Sequence, residues 1–234
     1  NRVNSLKTSH PGLKTILSVG GWNMGSMPFV NAVVTKGTRS AFIGTAINFL
    51  RRNNFDGLDI CWQYPTSRGS TDVDKERFSL LLKLIGVVVG SEARLIDRAY
   101  DIGTLNTSVD VVSLLTYDFY TPGTFKHAAH TSALYAGNHS VGPDIMKNVV
   151  CQMMSRSTKY YIQDKGVPYL VDGYQWVGYE DERSVALKAK FALDNKFGGV
   201  MLWAFDVDDF KGICNTQKVY PLLNSVNKVL KGGS

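Results

Sequence analysis

Two short apolar runs, each stopped abruptly and each followed by a helical pattern, set the fold class of this chain. The first, Leu13-Lys14-Thr15-Ile16-Leu17-Ser18-Val19-Gly20-Gly21-Trp22, closes on two glycines, as a buried parallel strand does where it ends in a sharp turn. Helix signals follow: Ser40 as a cap, then Phe42, Ile43, Ala46, Ile47, Phe49 and Leu50 at helical spacing, then Arg51 and Arg52 where the helix dipole is negative. The second run, Phe55-Asp56-Gly57-Leu58-Asp59-Ile60-Cys61-Trp62, reads as another strand, and Phe78 to Ile85 as the next helix. Strand, helix, strand, helix is the signature of an α/β chain. The pattern continues with strands at Val87 to Gly90, Val109 to Tyr117 and Gly199 to Phe205, and a helix from about Tyr220 to Leu230. Pattern alone leaves a doubly wound sheet and a barrel both open.

The chain has 234 residues, 44% hydrophobic and 20% charged, which is enough to bury a sizeable core as one domain over residues 1–234. A net charge of +6 is spread along the chain without basic clusters, which argues against a nucleic-acid partner. No apolar stretch reaches the roughly 20 residues that span a bilayer, so no membrane partner is expected. The opening Asn1-Arg2-Val3-Asn4-Ser5 has no signal-peptide features, so a mature chain or a fragment is expected. Cys61, Cys151 and Cys214 allow at most one internal disulfide. The sequons at Asn106 and Asn138 fit N-glycosylation in the secretory pathway. His10, His127, His130 and His139 show no ligand spacing with the cysteines, and neither a metal nor a cofactor is expected. The turn-rich stretch from Thr121 to Gly142 is the one long loop candidate.

The chemistry-bearing segment is Asp56-Gly57-Leu58-Asp59-Ile60-Cys61-Trp62-Gln63-Tyr64-Pro65. Positions 59, 61 and 63 share one strand face, while Ile60 and Trp62 point the other way. One face therefore presents Asp, Cys and Gln at the C-terminal end of a strand, where α/β sheets and barrels gather their active sites.

This segment resembles the signature of the family 18 glycoside hydrolases, Asp-Gly-x-Asp-x-Asp-x-Glu followed by Tyr-Pro. Ser18-Val19-Gly20-Gly21-Trp22-Asn23 resembles the family's glycine-tryptophan strand, Leu115-Thr116-Tyr117-Asp118-Phe119 its Tyr-Asp strand, and Val200 to Phe210 its closing strand. The run from Val167 to Tyr179 is similar to that of the vertebrate chitinases and chitinase-like lectins. The resemblance implies a (β/α)8 TIM barrel. A family barrel begins with two strands ahead of the glycine-tryptophan strand, and neither is expected here. Between Met146 and Cys151 the seventh strand and most of the inserted α+β domain are also missing, so an incomplete barrel of at most five strands is expected.

In such enzymes the substrate's own N-acetyl group attacks the anomeric carbon while a glutamic acid protonates the leaving oxygen. The resemblance puts Gln63 in that acid's position and Cys61 in that of the aspartate before it, with Asp56 and Asp59 kept. An amide donates a hydrogen bond but cannot deliver a proton at neutral pH. No catalytic residue is therefore expected. By the same resemblance Trp203 floors the central sugar, Trp22 and Asn23 line an outer subsite, and Tyr117 with Asp118 holds the acetamide and hydroxyls. Met201, Tyr64, Asp59 and Gln63 complete the sugar contacts. The resemblance also implies a Cys151–Cys214 disulfide and a secreted, extracellular protein, with Ser132 and His130 in a loop beside the cleft. The expected function is a non-catalytic lectin for chitin or N-acetylglucosamine oligosaccharides. The alternatives are a secreted glycoprotein acting through a protein partner without sugar binding, and a weakly active chitinase.

Overall fold

The computed structural model describes residues 2–82, 86–90, 93–117, 132, 147–214 and 218–232. They fall into two units, residues 1–116 and 117–234. In the first, strands β1 (Ile16–Gly20), β2 (Gly57–Cys61), β3 (Gly86–Gly90) and β4 (Val112–Leu115) form one parallel sheet in the order β1-β2-β3-β4. A doubly wound sheet reverses its strand order at a switch point, whereas a barrel wall adds each strand beside the last. The observed order is the barrel's.

Helices α1 (Met27–Val33), α2 (Lys36–Asn53), α3 (Val73–Leu82), α4 (Ala93–Ala99) and α5 (Ile102–Ser108) occupy the connections. Helix α2 begins before the expected Ser40. Thr35 and Thr38 exchange hydrogen bonds of 3.0 Å in each direction between side chain and backbone N–H, a capping box that satisfies two orphan donors of the first turn. Ser40 lies inside the helix and faces solvent. Helix α3 likewise starts before Phe78, because the buried Asp74 carboxylate accepts from the Thr71 N–H at 2.9 Å and the Ser70 hydroxyl at 3.0 Å and so organises the turn into it.

The core of this unit is built on the outward face of β2. Ile60 and Trp62 are fully buried there. Trp62 stacks on Phe29 with centroids 5.0 Å apart and meets Phe78 edge-on at 5.2 Å. Its indole N–H donates to Ser26 Oγ at 2.9 Å, and the Tyr100 hydroxyl donates to its carbonyl at 2.7 Å. Burial with the polar edge satisfied is the stable arrangement for tryptophan, and cutting such a ring back to alanine costs roughly 3–5 kcal/mol.

The second unit contains an antiparallel sheet of β5 (Thr158–Ile162), β6 (Val167–Asp172) and β7 (Gln175–Gly178). Val150 and Met153 of α6 (Lys147–Met154) pack against Leu170 and Val177 of this sheet. Tyr160, Tyr169 and Trp176 stack in a row across the three strands at 4.9 and 5.1 Å. Helices α7 (Glu182–Asp194) and α8 (Pro221–Leu230) pack together through Val185, Ala189 and Val226. The Asp208 carboxylate accepts from the Leu222 and Leu223 N–H groups, both at 3.1 Å, which satisfies donors at the start of α8.

Gly199 to Phe205 is not a strand. Its alternation survives, with Val200 and Leu202 packed toward α7 and α8 and Met201 and Trp203 exposed. Side-chain alternation needs only an extended backbone, whereas a strand needs a ladder partner. Among the described residues none pairs with this segment.

Cys151 and Cys214 form a disulfide across 63 residues. Closing a loop of that length in the unfolded chain is worth about 4 kcal/mol on the chain-entropy account. No helix of the described residues is long and apolar enough to cross a membrane.

The end of β1 lies close against the end of β2. A β-carbon on Gly20 would lie 2.3 Å from the Cys61 carbonyl oxygen and 2.8 Å from the Phe29 ring, and its φ of +115° disfavours any side chain. At Gly21, with φ +92°, the space is open. Gly20→Ala is expected to lower the urea midpoint by an amount equivalent to about 2 kcal/mol or more, and Gly21→Ala by about 1 kcal/mol. Equal midpoints for the two variants would show that the Gly20 contact does not constrain the sheet.

Candidate functional site

The register of β1 against β2 sets Ser18 opposite Asp59 and Gly20 opposite Cys61. Burial alternates along β2 and past its end, with Leu58, Ile60 and Trp62 buried and Asp59, Cys61 and Gln63 half-buried. The strand thus divides a packing face from a polar one. Ser18 Oγ donates to Asp59 Oδ2 at 2.5 Å, and the Gly21 N–H donates to the Cys61 carbonyl at 2.8 Å. Ser18 was not singled out from the sequence. Sliding the ends of the two motif strands level would have found it, since Gly20 and Cys61 both close their strands.

Burial pushes the Asp59 carboxyl up, against the lowering effect of the Ser18 hydroxyl. Burial also pushes the Cys61 thiol up, and the neighbouring Asp59 charge adds to it. A reactive cysteine needs the opposite, an electropositive setting that favours thiolate. Cys61 is the one free cysteine, and its surroundings keep it a neutral thiol. With an amide at Gln63 and a thiol at Cys61, Asp59 is the one carboxyl among the three side chains of this face.

Asp56 does not join this face. It lies just before β2, at the opposite end of the strand, where its carboxylate pairs with Lys7 at 2.7 Å and Lys14 at 3.8 Å and accepts from the Thr15 N–H at 2.7 Å. The Lys7 hydrogen bond, helped by Thr15, holds its pKa down at about 2. The group is structural: it fastens the feet of β1 and β2.

Trp22 stands on a single 3₁₀ turn, Trp22–Met24, directly after β1 and is 58% exposed; Asn23, beside it, is also exposed. Tyr64 follows Gln63 and is half-buried. In the second unit Trp203 is 73% exposed, Met201 is exposed and Tyr117 is half-buried. Ser132 donates to Glu180 Oε1 at 2.8 Å beside the Glu180–Lys188 ion pair. Asp118, Asn138 and His130 lie outside the described residues, as does the Thr121 to Gly142 stretch apart from Ser132. Asn106 is exposed on α5.

The sequence profile of glycosyl hydrolases family 18 matches residues 1–163 and 143–208. The chain belongs to glycosyl hydrolase family 18. Mouse (Mus musculus) chitotriosidase-1 is 30% identical over 305 residues, covering 97% of this chain and 66% of the relative. The chain therefore spans just under two thirds of that relative's length. The alignment is longer than the chain's 234 residues, so internal segments of the relative have no counterpart here. The two matched stretches overlap over residues 143–163. An immunomodulatory active chitinase from Trichuris suis superposes with a TM-score of 0.89 at 25% identity, covering 97% of this chain and 83% of that one. Human YKL-39, a pseudo-chitinase with retained chitooligosaccharide binding properties, superposes at 0.83 and 26% identity over 98% of this chain and 84% of that one. The fold is the α/β TIM barrel of family 18.

Two measurements test the electrostatics. Alkylation of Cys61 by iodoacetamide in the native protein at pH 8 is expected to be about tenfold or more slower than in the urea-unfolded chain, and Asp59→Asn should speed it by removing the charge that raises the thiol. A native rate equal to the unfolded one would contradict a protonated thiol. Asp56, with its lowered pKa, contributes stability above its unfolded value near 3.8 and loses it as pH falls through about 2. Asp56→Asn should accordingly lower the urea midpoint at pH 7 and lose most of that effect by pH 2. A deficit unchanged at pH 2 would assign the effect to packing.

Proposed function

We propose that this protein is a non-catalytic chitinase-like lectin that binds chitin-type oligosaccharides of N-acetylglucosamine. The observation that carries this reading is the polar face of β2, where the proton donor's position holds Gln63 and the preceding carboxylate's position holds the neutral thiol of Cys61. General acid catalysis is worth roughly 10²–10⁴ in rate, and the lost carboxylate removes further support for the developing positive charge. Binding makes no such demand. Asp59 and Gln63 keep hydrogen-bonding capacity, and Trp22 and Trp203 expose rings suited to the apolar face of a sugar. YKL-39 is a relative in which the two properties are separated in the same sense.

In this reading Trp203 floors the central sugar with Met201 beside it, Tyr117 and Asp118 hold its acetamide and hydroxyls, and Tyr64 lies alongside. Trp22 and Asn23 form the outer end. Residues 1–234 act as a single barrel domain. The Cys151–Cys214 disulfide supports a secreted protein, since such bonds persist in oxidising compartments. Glycosylation at Asn106 and Asn138 belongs to the same reading. A second reading, a secreted protein acting through protein contacts, is favoured by exposed Val111 just before β4 and exposed Val112 and Leu114 along it.

Calorimetry with N-acetylglucosamine oligomers tests the proposal. Saturable binding is expected, weakened at least tenfold by Trp203→Ala, with no product released from a fluorogenic chitobioside. Absence of binding by the folded protein would leave the protein-contact reading. Turnover that disappears in Asp59→Ala would instead show an active chitinase.

A further inference from the structure

Trp22 sits on one short turn between two glycines at positive φ, Gly21 at +92° and Gly25 at +69°. With more than half of its surface in solvent, packing alone does little to fix its ring. Arg68, 46 residues further on, supplies the missing restraint. Its guanidinium carbon lies 4.0 Å from the centroid of the Trp22 ring, and its Nη1 donates to the Trp22 carbonyl. No ion pair to Arg68 is present among the described residues.

The loop that presents Arg68 is itself held in an unfavourable backbone. Thr66 has φ of +75°, Arg68 of +55° and Gly69 of +93°. Non-glycine residues persist there only where their surroundings determine the conformation. Here the Thr66 N–H donates to Ser70 Oγ at 3.0 Å, Ser70 Oγ donates to Asp74 Oδ2 at 3.0 Å, and Arg77 pairs with the same buried carboxylate at 2.9 Å. Ser67 and Ser70 close two further turns through backbone bonds to Tyr64 and Ser67. The chain of contacts runs from a buried acid on α3 to an exposed ring after β1. Thr66, Ser67, Ser70, Asp74 and Arg77 have no other part in the candidate site.

We propose that Arg68 is a positioning residue for Trp22: it takes one face of the indole and leaves the other for an N-acetylhexosamine ring at the outer end of the site. The ligand half of this inference rests on the lectin reading above; the clamp itself does not. Oligosaccharides long enough to reach Trp22 depend on Arg68, and short ones do not.

Nuclear magnetic resonance of the whole chain tests the contact without sugar. The Arg68 side-chain protons should be shifted upfield by the indole ring current and return to ordinary positions in Trp22→Leu. An unshifted Arg68 overturns the clamp whatever the sugars do. Titration with the N-acetylglucosamine dimer and hexamer tests the consequence. Arg68→Ala should weaken the hexamer about two- to fivefold, as loss of an exposed cation–π contact predicts, and leave the dimer unchanged. In a Trp22→Leu background the same substitution should have no further effect. Equal weakening of both oligomers, or none of the hexamer, overturns the positioning role. Binding of neither oligomer by the folded wild-type chain, with the ring-current shift present, sinks the lectin reading and leaves the contact standing.

Discussion

The close approach of Gly20 to the Cys61 carbonyl is the contact from which the arrangement of the first unit follows. It forces glycine at the end of β1, fixes the level at which β1 and β2 lie side by side, and brings Ser18 within hydrogen-bonding distance of Asp59. The Phe29 ring presses on the same glycine and stacks on Trp62, which is buried beneath the strand end. A change of one methyl group at position 20 would therefore move a backbone carbonyl, a core ring and the polar face together, because close-packed interiors transmit displacement.

Alternation along β2 separates that core from the chemistry. Ile60 and Trp62 contribute burial, and Asp59, Cys61 and Gln63 contribute polar groups, so residue type on one face can change with little consequence for the other. The two ends of the strand differ in how they treat charge. Around Asp56 two lysines and a backbone N–H stabilise a carboxylate, whereas at Asp59 burial works against ionisation. A neutral thiol and a neutral amide suit the second setting, since neither brings a charge to be desolvated. In the proposed reading, a thiol at Cys61 and an amide at Gln63 in place of acids are compatible with an undisturbed strand.

The positions of β1 and β2 were legible from apolar runs and glycine stops, although β1 is more exposed than such a run suggests. The strand order was implied only by the family resemblance, since pattern alone left a doubly wound sheet and a barrel open. The start of α2 was not legible: by type Ser40 is the better cap, and only the extended backbone of Thr35 decides for the threonine. The segment around Val200 to Phe205 was misread for a related reason. Its alternation is real, but a ladder depends on a neighbouring strand, which a local pattern does not contain. Ser18 and Arg68 were missed because each acts on a residue more than 40 positions away. Asp56 was visible as part of the motif yet belongs to the other end of the strand, a distinction that spacing alone would have supplied.

The four tryptophans show how exposure carries functional information that composition does not. Trp62 is wholly buried, and Trp176 stands half-buried in a stack of rings; both have packing as a sufficient explanation. Trp22 and Trp203 leave most of their surface in water and gain little from folding. A single exposed apolar residue is ordinary and explains nothing by itself. Of the two, Trp22 is held, by a guanidinium placed through a strained loop, whereas the packing of Val200 and Leu202 sets only the side on which Trp203 leaves the backbone. Restraint of a ring that does not serve the core is the physical condition a stacking surface must meet, since a mobile ring would lose conformational entropy on every encounter with a sugar.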